Sequence, residues 1–327
     1  MLSFISDWAN SSMGMVGTVL FFIIGFAALI KGGDWFVDGA SGIAQKFHIP
    51  ELLIGATVVS IGTTLPEVMV SATDAVASLK NVGAEAGIAY GNAIGSVICN
   101  TALIAALTIA IRPANVQRKT LLLPVISFFI AAAFYCGVAY FAREFTRPVG
   151  IILLAMFVIY MVVSVISALR NPDTAEVEDV ESKGLSFGKS LLLLIVGAVL
   201  IAEACGVPEA VIGLTRVALG TSLPELVTAI TSLVKGHGAL SLGNVIGANI
   251  FNLVLVSGTA ITIAPFKLPA AKLIAGIPSS LVVDIPVMLF VMAFLTLPAV
   301  IRGKLSRFQG IVLLAVYIGF CVFQFTF

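Results

Sequence analysis

The sequence predicts an all-α membrane protein: about ten transmembrane helices in two inverted-topology five-helix repeats, with the N-terminus outside. Three observations predict it. Of the 327 residues, 59% are hydrophobic and 11% charged, and the mean hydropathy is +1.12, whereas ordinary soluble domains carry about 25% charged residues. Apolar runs approaching or exceeding the ~20 residues needed to cross a bilayer recur along the whole chain. Finally, two sequence blocks each occur twice, in corresponding places of the two halves.

Taking the elements in order, apolar runs bounded by charged or Gly/Pro-rich breaks place spans near 13–31, 52–79, 87–111, 121–141, 148–169, 187–205, 209–234, 239–264, 284–301 and 308–326. The segment before the first span holds Asp7 and no Lys or Arg, so it lacks the basic start of a cleaved secretory signal and is expected to stay attached, facing outward. An N-out chain leaves five basic residues outside (Lys80, Arg143, Arg147, Lys267, Lys272). It puts twelve inside, among them Lys31, Arg112, Arg118, Lys119, Lys235 and Arg302, in keeping with the excess of Lys and Arg in cytoplasmic loops. The chain thus divides into a first half (1–169), a cytoplasmic linker (170–186) and a second half (187–327). The linker's Asp173, Glu176, Glu178, Asp179 and Glu181 read as a solvated connection. The longest polar stretch, 170–189, leaves no room for a soluble domain, and a net charge of +1 without a basic patch speaks against nucleic acid. Cys99, Cys136, Cys205 and Cys321 show no paired spacing and read as packing residues.

The first repeated block is Gly62-Thr63-Thr64-Leu65-Pro66-Glu67, which returns as Gly220-Thr221-Ser222-Leu223-Pro224-Glu225 at an offset of 158. The second runs from Gly91-Asn92 to Cys99-Asn100 and returns from Gly243-Asn244 to Phe251-Asn252 at an offset of 152. Five spans separate the copies, so the second copy crosses the membrane in reverse. Many secondary transporters are built this way, with the site near the midplane where the repeats meet.

Glu67 and Glu225 fall near the middle of spans two and seven, where a carboxylate costs several kcal/mol unless it is functional or paired. Pro66 and Pro224 have no N–H to offer the carbonyls of Gly62 and Gly220, so each motif is expected to open into a carbonyl-bearing helix end that attracts cations. With the hydroxyls of Thr63, Thr64, Thr221 and Ser222, each copy becomes an all-oxygen set suited to hard ions such as Ca²⁺ or Na⁺. Asn92, Ser96 and Asn100 share one helix face, and Asn244, Ala248 and Asn252 repeat it. Gly91-x-x-x-Gly95 and Gly243-x-x-x-Gly247 on the same helices are expected to allow close approach to spans two and seven, bringing Ser96, Asn100 and Asn252 to the ions. An intramembrane hydrolase would need a Ser–His or Asp–Asp arrangement in the bilayer, and no histidine falls within a span.

On these residues the chain resembles the calcium/cation antiporter superfamily, and specifically prokaryotic sodium/calcium exchangers, whose two repeats carry G-T-S-L-P-E followed by G-N-x-x-G-[SA]-x-x-x-[ND]. The resemblance implies an antiporter of the cell membrane that exchanges Ca²⁺ for Na⁺, needs no cofactor beyond the transported ions, and holds them at Glu67 and Glu225. It implies that Thr63, Thr64, Thr221, Ser222, Ser96 and Asn100 complete the sites, while spans one and six slide to alternate access. Coupling to H⁺ in place of Na⁺ stays open, and so does the oligomeric state.

The chain departs from this pattern twice. Asn252 stands where well-known members have Asp, leaving two formal charges at the centre. In the first repeat Gly25 to Ala44 is 19 positions, whereas the corresponding Gly197 to Ala202 is five. The missing 14 correspond to about 21 Å of helix, so a short sixth span that impairs transport is the alternative expectation. Asp74, seven residues past Glu67 on the same face, is a secondary candidate for an outer vestibule, beside Asn92 and Asn244. Asp284 is expected to cap span nine, and His48 and His237 are expected to be solvated.

Overall fold

The computed structural model describes residues 31–32, 34–44, 46–47, 49–80, 87–170, 222–270 and 272–326. The expected first and sixth spans, the acidic linker, and Gly220, Thr221, His48 and Cys205 lie outside the described residues.

Helix α1 covers residues 34–44. It is followed by α2 (Glu51–Leu79), α3 (Ala89–Ile111), α4 (Arg118–Ala142), α5 (Arg147–Arg170), α6 (Leu223–Val234), α7 (Gly238–Ile263), α8 (Ser280–Arg302) and α9 (Arg307–Thr326). Among the described residues, seven of these helices, all but α1 and α6, are long and apolar enough to cross a membrane. Each matches an expected span to within a few residues. The chain is therefore a multi-pass, all-α membrane protein. Its helix limits follow from local chemistry: Arg147-Pro148 opens α5, Asn171-Pro172 follows its last residue, and Gly303 takes the left-handed conformation (φ 67°) that ends α8.

The helices form a centre and a periphery. Helix α7 has 89% of its most apolar stretch buried and α9 has 17%, so α7 is the axis and α9 faces outward. Aromatic rings fill one end of the bundle. Tyr135 packs on Phe145 at 4.8 Å between centroids, and Phe145 on Phe266 at 5.2 Å. Exposed Ile151, Ile159, Val162 and Leu169 on α5, with Phe308, Ile311, Ile318 and Phe325 on α9, give the apolar outer surface that a bilayer requires.

The closest contact is between α2 and α7. A Cβ added at Gly243 would meet the carbonyl of Leu52, one at Gly247 the backbone of Ala56, and one at Gly55 the carbonyl of Leu240. The second glycine pair thus acts as expected. Gly91 does not, because a Cβ there meets nothing within 4 Å. Residues Gly55–Val59 of α2 form a π turn, as do Asn100–Ala105 of α3 and Asn252–Val256 of α7. Such turns leave carbonyls without their α-helical partner and recur at functional sites. Side chains take up some of these: Tyr160 donates to Ala56 O at 3.0 Å, and Ser257 to Asn252 O at 3.0 Å. Pro298 similarly frees the Phe294 carbonyl in α8, and Gln309 of α9 donates to it at 3.0 Å.

Loops pair at two places. Strand β1 (Glu144–Phe145), between α4 and α5, pairs antiparallel with β2 (Phe266–Lys267), which follows α7. Asn115, between α3 and α4, forms an antiparallel bridge with Lys304, between α8 and α9. A further two-residue ladder joins Leu273–Ile274 and Ile277–Pro278 before α8.

Candidate cation site

The site is built where α2, α3, α6 and α7 meet: α6 packs against α2, α7 and the π turn of α3. Helix α2 contributes Glu67, Thr63 and Thr64, all with no exposed surface. It runs helical through Pro66, which corrects the expectation of an opened turn at Gly62-Thr63. Pro66 removes one hydrogen bond, but Phe36 of α1 packs against Gly62 and Asn244 of α7 accepts from Thr63 at 3.2 Å, so packing holds the turn closed.

In the second copy, α6 begins at Leu223, directly after Ser222, with Pro224 in its first turn and fully buried Glu225 beside it. Glu225 therefore sits at the positive pole of α6, which favours a carboxylate. The expected carbonyl end at Gly220-Thr221 lies outside the described residues. The hydroxyls of Thr63 and Thr64 approach the Glu225 carboxylate across the α2–α6 boundary, but neither closes to a hydrogen bond of ordinary length.

Helices α3 and α7 supply Ser96, Asn100 and Asn252, each with no exposed surface. The Ser96 hydroxyl and both amide atoms of Asn100 and of Asn252 make no hydrogen bond among the described residues. Buried polar groups are normally paired, so such a group calls for an explanation, and an ion is one. Both asparagines open a π turn, Asn100 in α3 and Asn252 in α7.

Asn92 and Asn244 fasten helices. Asn92 Nδ2 donates to Ser71 Oγ at 2.9 Å and to Glu67 O at 3.3 Å, whereas Asn244 accepts from Ser60 and Thr63, each at 3.2 Å. Asp74 accepts from the backbone N–H of Ala89 near the start of α3. Asp284 does not cap α8: it closes a π turn continuous with the helix and accepts from Gln324 at 2.7 Å. His237 is buried rather than solvated, with Nδ1 2.8 Å from Glu51 Oε1.

Reading the sequence alone missed several polar contacts. Ser60 stands 2.9 Å from Asn244 O, and Asn249 donates to Thr101 at 2.7 Å and to Met292 Sδ at 3.1 Å. The signal for Ser60 was its place one turn before Thr63; Thr101 and Asn249 offered none beyond being polar in apolar runs. Cys99, expected only to pack, also accepts a 3.6 Å contact from the Tyr317 hydroxyl. At the membrane edge Lys235 pairs with Asp34 and, at 2.6 Å, with Asp38. Partial burial pushes the Asp34 carboxyl up, but the Lys235 and Lys31 ammonium groups outweigh this and hold it below its usual range.

The chain matches the family described as sodium/calcium exchanger protein over residues 17–166 and 188–326. It is 35% identical to the uncharacterized membrane protein MJ0091 of Methanocaldococcus jannaschii, over 91% of this chain and 95% of that one. It is 29% identical to the sodium/calcium exchanger MaX1 of Methanosarcina acetivorans, over 94% and 98%. A structure of the sodium-calcium exchanger NCX_Mj, soaked with Na⁺ and Sr²⁺, superposes with a TM-score of 0.73 at 32% identity, covering 93% of this chain and 97% of that one. The two carboxylate blocks, the helices that carry them and these matches agree: the chain belongs to the sodium/calcium exchanger family of membrane transporters.

Proposed function

We propose that this protein is a secondary active antiporter that exchanges Ca²⁺ for Na⁺ by alternating access across the cell membrane. One observation carries the reading. Glu67 and Glu225 are fully buried on helices that pack against those carrying Ser96, Asn100 and Asn252, and the polar atoms of these three find no hydrogen bond among the described residues. That is an oxygen-rich, doubly charged site of the kind hard cations take. Glu67, Glu225, Thr63, Thr64 and Ser222, with Thr221 and the carbonyls of Gly62 and Gly220, are its proposed ligands. The proposed architecture is two inverted halves, 1–169 and 187–327, joined by the 170–186 linker with the N-terminus outside. The paired loops support it. At the 152-residue offset Asn115 corresponds to Lys267, and the loop holding Lys304 corresponds to the loop holding Glu144, so the Asn115–Lys304 bridge has its image in the Glu144–Lys267 pair.

The test is uptake of radioactive Ca²⁺ into proteoliposomes loaded with Na⁺, compared with liposomes carrying only a proton gradient. Uptake driven by Na⁺ alone is the expected result. Uptake driven by protons alone replaces the reading with H⁺/cation exchange, which two buried glutamates can also serve. Binding of Ca²⁺ without uptake under either gradient replaces it with a transport-impaired protein, as the short sixth span suggests.

A further inference from the structure

We propose that the loops joining α3 to α4 and α8 to α9 form one binding surface for anionic phospholipids of the leaflet they face. Both loops leave apolar spans directly. Arg112 follows Ile111, the last residue of α3, and Arg118 opens α4, while Arg302 ends α8 and Arg307 opens α9. These four, with Lys119 and Lys304, are all exposed. No Asp or Glu occurs in residues 86–143 or after Asp284, so neither loop nor the helices it joins there carry an acid. Among the described residues none of these basic groups takes part in an ion pair.

The two loops make a single platform. Around the Asn115–Lys304 bridge, Val116 N–H donates to Gly303 O at 2.9 Å and Leu305 N–H to Ala114 O at 2.8 Å. Continued, this antiparallel register runs toward Arg112 and Arg307 on one side and toward Arg118 and Arg302 on the other. Leu305 is buried beneath it, and Gly310 of α9 abuts the Ala106 carbonyl of α3. Paired backbone thus gathers the positive charges, and like charges held together repel unless an anion lies among them. The pair at the opposite end of α4, β1 with β2, sets Glu144 directly across from Lys267 and so partly neutralises itself.

Just inside the charges, Ile111, Ile301 and Phe308 are exposed and apolar. The ligand that matches both features has a phosphate at one end and acyl chains at the other. Each Lys or Arg near a membrane surface strengthens binding to anionic lipid by roughly fivefold. An excess of basic residues also orients membrane spans, but orientation requires neither the loop pairing nor the apolar collar. The competing occupant is the acidic linker 170–186, which lies outside the described residues.

The experiment uses the full-length protein in phosphatidylcholine bilayers that hold a minor fraction of phosphatidylglycerol. Trp8→Phe and Trp35→Phe remove the native tryptophans, and Phe308→Trp places a fluorescent reporter beside the patch. Bromine on the acyl chains of either lipid quenches that reporter by contact. At equal mole fraction, brominated phosphatidylglycerol is expected to quench at least roughly threefold more than brominated phosphatidylcholine. Arg302→Gln, Lys304→Gln and Arg307→Gln together are expected to abolish the excess while quenching by phosphatidylcholine persists, which shows that the variant is still folded in the bilayer. Equal quenching by the two lipids before these changes, or an excess that survives them, overturns the proposal. So does an excess that appears only after Asp173, Glu176, Glu178, Asp179 and Glu181 are changed to their amides, because the linker is then the occupant.

Discussion

At the scale of single residues, Glu67 and Glu225 stood out because a carboxylate in the middle of an apolar run is costly wherever it points. The structure puts both in the interior with no exposed surface. Replacing either with Gln keeps the shape and removes one of the two carboxylates described there. Losing one partner of a buried ionic arrangement costs roughly 3–5 kcal/mol, so Glu67→Gln and Glu225→Gln are each expected to weaken Ca²⁺ binding by roughly 100- to 4,000-fold. Calorimetric titration checks this, with size-exclusion profiles confirming that the variants fold. Buried polar positions on the neighbouring helices were legible where repetition marked them, as at Asn100 and Asn252. They were not legible where the deciding contact comes from a distant part of the chain. Spacing put Asp74 on the Glu67 face but could not show that the N–H of Ala89 occupies its carboxylate. His237 likewise falls in a short loop, and only the fold brings Glu51 to it.

At the scale of elements, the span boundaries were legible because hydropathy and flanking charges fix where a helix can leave the membrane. Packing asymmetry was not. The two G-x-x-x-G pairs are equivalent in sequence, yet Gly243 abuts the Leu52 carbonyl while Gly91 faces open space. Gly243→Ala is therefore expected to lower stability by about 1–3 kcal/mol through overpacking. Gly91→Ala is expected to be neutral or to gain up to about 1 kcal/mol from helix propensity. Thermal unfolding in detergent, followed by tryptophan fluorescence, separates the two; equal losses at both positions would mean that the α2–α7 contact is not the close one. The prolines teach a similar lesson. Pro66 removes a bond from α2 without breaking it, because Phe36 and Asn244 hold that turn from either side.

At the scale of the whole molecule, the paired loops carry the topology. If the proposed halves are inverted, β1 and β2 lie on one face of the membrane and the Asn115–Lys304 bridge on the other. In a background freed of native cysteines, Glu144→Cys and Lys267→Cys are expected to react with an impermeant maleimide applied outside intact cells. Asn115→Cys and Lys304→Cys are expected to react only after the membrane is opened, and labelling of all four from one side would exclude the inverted arrangement. The repeat was legible because its motifs are nearly unchanged, whereas the loop contacts, made by ordinary residues such as Phe145 and Phe266, left no mark in the sequence. Those contacts, together with the interlocked glycines of α2 and α7, have a further consequence. The proposed halves grip each other through the early turns of α2 and α7 and through loop pairs beyond both ends of the bundle, so the peptide bond between them is not what holds them together. A gene cut in two at the acidic linker would still encode a single transporter, assembled from two polypeptides that recognise each other.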